Sequence, residues 1–251
     1  MHVFRALTLL SSALFTLTSA QYDNTSLPVN FGLVVFDGFQ AMDVFGPMDV
    51  FNMASGLHIR ANLFILAENL TPKTTRIKNM TNPPKYYFGE TINPTHTFDN
   101  PPEDLQVLFI PGGWGTRDLN ATQVVVDFIA KTYPKLQYLV TGCTGSTLVA
   151  RTGILDGRRA TGNKKSWAFV TSTRPQVKWV AQARWVQDGN IWSSSGVAAF
   201  VDVAFAFLEY VWGAAVAAEV VEDGEYDRHL NSTWDPFAAL NNLTNWVPPV
   251  Q

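Results

Sequence analysis

The chain carries one cysteine, Cys143, in the run Gln137-Tyr138-Leu139-Val140-Thr141-Gly142-Cys143-Thr144-Gly145-Ser146. A lone thiol cannot close an intrachain disulfide, and its place between an apolar run and a small-residue helix start suggests a nucleophile at a strand-to-helix elbow. A helix N-terminus favours negative charge, so the sulfur is expected to tend toward thiolate and to face an open crevice at the sheet's carboxyl edge. The backbone N–H of Thr144, with Gly142 before the cysteine and an N–H from the Gly112-Gly113 turn, could meet a developing negative charge. The best-placed acid or base is Asp43, which follows the first strand and would lie at the same sheet edge. Burial beside a thiolate would disfavour its charged form and couple the two titrations. The alternative for Asp43 is a helix-capping role.

Histidine offers less. His58, His96 and His229 are far apart in sequence and outside any motif, although a Cys-His pair through His96 stays open because such partners need not be adjacent. No histidine or carboxylate spacing suggests a metal site.

The elements that must position these groups follow from hydrophobic pattern. Residues 29–36, 61–67, 105–110 and 137–141 are short apolar runs, the pattern of strands buried on both faces. Helical spacing marks residues 122–133 and 144–151, and residues 197–212 are apolar nearly all round, as in a helix buried against a sheet. Residues 43–53 can form a helix, but Gly46-Pro47 predicts an irregular first turn or a start at Pro47. Asn163 is expected to cap a helix over 163–171. Asp188-Gly189-Asn190 predicts a hairpin turn. Strand and helix alternate, so the fold class is α/β, a mostly parallel sheet with helices on both faces. Residues 69–104 read as loops and short strands, and the tail after Glu225 has too little pattern for a second domain.

Residues 1–20 read as a secretory signal: Arg5, an apolar core over 6–17, then Thr18-Ser19-Ala20 as a cleavage site. The mature chain, 21–251, is read as one domain with its core at about 29–212. Acceptor triplets at Asn24, Asn69, Asn79, Asn120, Asn231 and Asn242 fit passage through a eukaryotic secretory route and a glycosylated, extracellular product. The net charge of −3 argues against a nucleic-acid surface, and no apolar stretch beyond the signal implies a membrane anchor.

Taken jointly, Phe36-Asp37-Gly38-Phe39, Asp43-Val44-Phe45-Gly46-Pro47, Phe109-Ile110-Pro111-Gly112-Gly113, Gly142-Cys143-Thr144-Gly145 and the stretch from Gly153 to Thr161 resemble the ThiJ/PfpI superfamily, whose domain is like that of class I glutamine amidotransferases. Arg184-Trp185-Val186 and Ser194-Ser195-Gly196-Val197 add to the match. The resemblance implies a flavodoxin-like fold, a small-molecule substrate, no cofactor and a homodimer. Asp43 ahead of Gly46-Pro47, together with Thr144 directly after the cysteine, is similar to the isonitrile hydratase branch, which adds water to an isocyanide carbon to give an N-substituted formamide. In that branch's chemistry Cys143 would attack the carbon and Asp43 would handle the proton at nitrogen and then on water. Thr144 and Gly113 would steady the adduct, and the thioimidate would hydrolyse. Peptidase-like members carry histidine where this chain has Thr144, and glyoxalase or deglycase members typically carry glutamate where it has Asp43. After Thr161, Gly162-Asn163-Lys164-Lys165 replaces a histidine-containing turn of bacterial relatives. Two competing readings are a hemithioacetal-forming enzyme acting on reactive dicarbonyls and a secreted redox-responsive binding protein that turns nothing over.

Overall fold

A computed structural model of the chain describes residues 27–77, 88–243 and 245. The signal-like stretch and the acceptors Asn24 and Asn79 lie outside the described residues; Asn69, Asn120, Asn231 and Asn242 are exposed.

The elements in chain order are β1 (Asn30–Val34), α1 (Ala41–Leu57), β2 (Asn62–Ala67), β3 (Lys73–Thr74), β4 (Thr91–Ile92), β5 (His96–Thr97), β6 (Val107–Ile110), α2 (Gln123–Thr132), β7 (Tyr138–Thr141), α3 (Gly145–Arg151), β8 (Arg159–Ala160), α4 (Trp167–Thr173), β9 (Lys178–Trp179), β10 (Trp185–Asp188), β11 (Ile191–Ser194), α5 (Val197–Trp212), α6 (Ala214–Asp223) and α7 (Pro236–Leu240). Seven strands make one sheet in the order β10-β11-β7-β6-β1-β2-β5. Every pairing in it is parallel except the β10–β11 hairpin, whose turn is closed by Gly189 at φ 62°. All residues of β1, β6 and β7 are buried, as their unbroken apolar runs require.

From β1 the chain crosses to β2 on one side, and from β6 it crosses to β7 on the other. Right-handed crossovers in opposite directions place α1 and α2 on opposite faces. Helices α1, α5 and α6 pack together, and α2, α3 and α4 form the second layer. The first layer seals an aromatic core around Phe109, whose ring lies 5.4 Å from that of Phe51, 6.1 Å from Phe200 and 6.2 Å from Phe207. The adjacent strands β1 and β6 are where the winding reverses, and their carboxyl ends open a crevice there.

Helix α1 departs from expectation. It starts at Ala41 and runs unbroken through Gly46 and Pro47. Pro47 forfeits one backbone hydrogen bond, and packing against α5 outweighs that loss: a Cβ at Gly46 would meet Val201 Cγ2 at 2.8 Å. Helix α6 went unread because Gly213, at φ 93°, separates it from α5 by one residue.

Close packing makes Gly142 a sensitive point, since a Cβ there would lie 2.3 Å from the buried Phe200 ring. Gly142→Ala should cost about 2–3 kcal/mol in urea unfolding, and Phe200→Leu in the same chain should recover part of it. Unchanged stability in Gly142→Ala would show that this face of the elbow is loose.

Candidate active site

Three chain segments meet at the crevice. The loop after β1 and the first turn of α1 bring Asp43, the loop after β6 brings Gly112 and Gly113, and the β7–α3 junction brings Cys143. Cys143 has φ 57°, a left-handed conformation that an L-residue holds only when its surroundings over-determine it. Here its N–H donates to Ser195 O at 2.8 Å, while its carbonyl accepts from Asn163 N at 3.2 Å and from Ser146 Oγ at 3.1 Å. The elbow leans directly on the β6 loop. A Cβ on Gly112 would meet Thr144 N at 2.6 Å and Cys143 Cβ at 2.9 Å, so only glycine fits.

Asp43 is fully buried at the third position of α1, and its carboxylate serves the β6 loop instead of capping its own helix. Gly112 N–H donates to Oδ2 at 2.8 Å. Oδ1 is buried and has no hydrogen-bond partner of regular geometry. Burial pushes the Asp43 pKa up to about 7, against opposing hydrogen bonds from Gly112 and the Cys143 thiol. Thiol and carboxyl therefore shift each other's protonation and titrate as a pair.

Burial acts against the expected thiolate. Cys143 is 5% exposed, and burial first, then the charge of Asp43, raise its pKa far above the ordinary thiol range. Hydrogen bonds from the Thr144 N–H, the Asn163 amide and the Thr144 hydroxyl oppose the shift without reversing it.

The structure brings Cys143, Asp43, Thr144, Gly112, Gly113 and Gly142 together, with a different division of labour from the one expected. The N–H of Gly112 is spent on Asp43, that of Gly113 on Thr144 Oγ1 at 3.0 Å, and that of Gly142 on Ile110 O at 3.1 Å. Thr144 Oγ1 donates back to Gly113 O at 3.1 Å, which locks the two loops together. The polar groups turned toward the sulfur are the Thr144 N–H and Asn163 Nδ2, the latter 3.3 Å from Sγ.

Asn163 does not cap α4, whose N-cap is Ser166. Its Oδ1 accepts from Ser166 N at 2.9 Å, an arrangement that leaves Nδ2 for the sulfur. The altered turn after Thr161 was the sequence signal for this role. Arg117 had no signal: its guanidinium lies 4.2 Å from the Trp114 ring and 4.8 Å from the Phe169 ring, close enough to Cys143 to feel its charge.

The histidines stand elsewhere. His96 lies on β5, four strands from β7 and so roughly 19 Å across the sheet, which rules out a Cys143–His96 pair. His58 contacts Glu219 on α6, and His229 stacks on Trp234. Among the described residues no three His, Cys, Asp or Glu side chains cluster as a metal site, and no helix is long and apolar enough to cross a membrane.

Beside the elbow opens a cavity of about 640 Å³. Cys143 does not line it, but Asn163 and Ser195, both bonded to Cys143, do. The sulfur thus sits just behind the wall and not in an open crevice.

Because folding raises the Asp43 pKa from 3.8 to about 7, the unfolded chain releases a proton within that window that the folded chain keeps. Stability should fall as pH rises through it. Asp43→Asn removes this penalty, so it should stabilise the protein relative to wild type by up to about 4 kcal/mol at pH 8 and by little at pH 4. Urea unfolding at both pH values measures it, and an equal effect at the two would contradict a buried neutral acid.

Comparison with known proteins follows the same lines. An isonitrile hydratase from Pseudomonas putida is 31% identical over 138 residues, which is 55% of this chain and 59% of that protein. Protein DJ-1alpha from Drosophila melanogaster is 31% identical over 124 residues, 47% of this chain and 54% of that one. The chain spans a little over half the length of these curated relatives. The crystal structure of a ThiJ/PfpI family protein from Pseudomonas syringae superposes with a TM-score of 0.65 at 26% identity, covering 82% of this chain and 79% of that one. Drosophila melanogaster DJ-1beta does so at 0.64 and 17% identity, covering 80% and 100%. A model of the DJ-1/PfpI family matches residues 31–210, and the chain belongs to that family.

Proposed function

We propose that the protein hydrates an isonitrile to an N-substituted formamide without a cofactor, with Cys143 as nucleophile and Asp43 as proton carrier. One observation carries the proposal: a strained elbow thiol is coupled to a buried carboxyl whose pKa is about 7 and whose Oδ1 has no hydrogen-bond partner. The likeness to the Pseudomonas putida isonitrile hydratase supports it. An isocyano group is a thin linear rod, suited to reaching a sulfur set behind the cavity wall.

The chemistry follows from the protonation states. Since the thiol does not ionise by itself, the Asp43 carboxylate takes its proton as the sulfur attacks the terminal carbon. Addition to an isonitrile places both sulfur and hydrogen on that carbon, so Asp43 delivers the first proton to carbon and not to nitrogen. The product is a thioimidate, R–N=CH–S–Cys143. Water then adds to the same carbon, losing a proton to Asp43, which passes it to nitrogen. Collapse of the tetrahedral R–NH–CH(OH)–S–Cys143 returns the hydroxyl proton through Asp43 to sulfur and releases R–NH–CHO. Thr144 N–H and Asn163 Nδ2 donate toward the sulfur while it carries charge.

We also propose that the protein is exported and bears glycans at its exposed acceptors. That reading is supported by the N-terminal pattern and the six triplets. Treatment of the exported chain with a peptide N-glycosidase should lower its mass, and an unchanged mass would exclude occupied acceptors.

Cys143→Ala should abolish hydration of a small isocyanide panel, and undiminished turnover would remove the sulfur from the mechanism. Because the reaction starts from carboxylate, kcat/KM should rise with pH to a plateau, with a midpoint near 7 set by Asp43. Asp43→Asn should lower the rate by roughly 10²–10⁴-fold and erase that limb. Turnover of methylglyoxal in place of isocyanides would favour the dicarbonyl reading.

A further inference from the structure

Arg117 stands beside the reactive centre with its charge unpaired. Its guanidinium carbon lies 4.2 Å from the Trp114 ring and 4.8 Å from the Phe169 ring, and Nη2 donates to Ser166 Oγ at 2.8 Å. Asp37, Glu68, Lys73 and Asp118 border, with Arg117, a cavity of about 440 Å³. None of these carboxylates is within ion-pair distance of the guanidinium, and among the described residues its one hydrogen bond goes to a neutral hydroxyl.

That bond reaches the sulfur in two further steps. Ser166 N–H donates to Asn163 Oδ1 at 2.9 Å, and Asn163 Nδ2 stands 3.3 Å from Cys143 Sγ. A backbone N–H can only donate, so the Asn163 atom it meets is the carbonyl oxygen, and the amide presents its N–H to the sulfur. Arg117 thus clamps the start of α4 at Ser166 and Phe169, and with it the residue that faces Cys143.

The other cations of this segment are spent or face solvent. Lys164 Nζ lies 3.5 Å from Asp235 Oδ2 in the C-terminal tail, both side chains being almost wholly inaccessible. Nζ also donates to Thr161 Oγ1 at 2.6 Å, Ala183 O at 2.9 Å and Gly162 O at 3.1 Å. Lys165 is exposed. Arg117 is the one of the three whose charge couples to Cys143. A positive charge beside an atom that turns negative only as it reacts stabilises the transition state more than the resting state. Sulfur attack is such an event, because the thiol gives up its proton as the bond to carbon forms.

We infer that Arg117 is a positioning residue of the reactive centre: through Ser166 it holds the Asn163 amide toward Cys143 Sγ, and its unpaired charge favours negative charge on that sulfur. The inference rests on the reading of Cys143 as the nucleophile and deepens it by naming what readies the sulfur.

The test has one readout that needs no substrate. Because the chain has a single cysteine, cysteine labelled with carbon-13 at Cβ gives one resonance, whose pH dependence follows the Cys143 and Asp43 pair, with a midpoint near 7. A nearby cation favours the deprotonated pair, so Arg117→Met should move that midpoint up by at least about 0.5 pH unit. Arg117→Lys, which keeps the charge, should restore most of it. In isocyanide hydration Arg117→Met should lower kcat roughly tenfold with KM changed less than about twofold. Ser166→Ala cuts the link and leaves the charge, so it should lower kcat by about threefold with a smaller shift of the midpoint, and it tests the link even where Arg117→Met folds poorly. A wild-type resonance indifferent to pH, an Arg117→Met midpoint equal to wild type, an Arg117→Lys variant as impaired as Arg117→Met, or a Ser166→Ala variant unchanged in both readouts overturns the inference. A shifted midpoint without isocyanide hydration by wild type leaves the role of Arg117 standing and sinks the reaction, whereas hydration that Arg117→Met leaves intact does the reverse.

Discussion

The hydrogen bond from Gly112 N–H to Asp43 Oδ2 joins the loop after β6 to the first turn of α1 across the point where the sheet's winding reverses. It fixes one carboxyl oxygen and leaves the other toward chemistry. It also requires a glycine, because the elbow's backbone occupies the space a side chain would need. The reciprocal bonds between Thr144 Oγ1 and Gly113 then hold the elbow against the same loop. The strained backbone of Cys143 and the position of the sulfur follow from that three-way closure, while burial raises the Asp43 pKa against the Gly112 hydrogen bond.

Much of this could be read from residue types. Four unbroken apolar runs became strands of the sheet, and the span 197–212 became α5 with its bounds unchanged. The elbow was legible because a small-residue helix start follows an apolar strand, and Asp43 because parallel strands gather their carboxyl-end loops on one edge. What failed to show were tertiary effects. Local propensity argues against a helix through Gly46-Pro47, but contact with Val201 decides there. The helix-terminus argument for a thiolate considered a single local field, whereas burial and a neighbouring carboxylate act through space. Arg117 was invisible because Phe169, unlike the adjacent Trp114, is brought to it only by folding.

A thiol that resists ionisation need not be inert. In the proposed reaction its proton passes to Asp43, whose affinity for protons lies near neutrality, so that charge need not be separated over a long distance in a poorly solvated site. The same burial limits the sulfur's contact with solvent, and Asn163 and Ser195 stand between it and the cavity.

The doubly anchored segment from Thr161 to Ser166 makes one mechanical unit of the tail and the reactive centre. Its lysine fastens the C-terminal tail and its asparagine reaches the sulfur, so a substitution that loosens the tail would also shift the group beside Cys143.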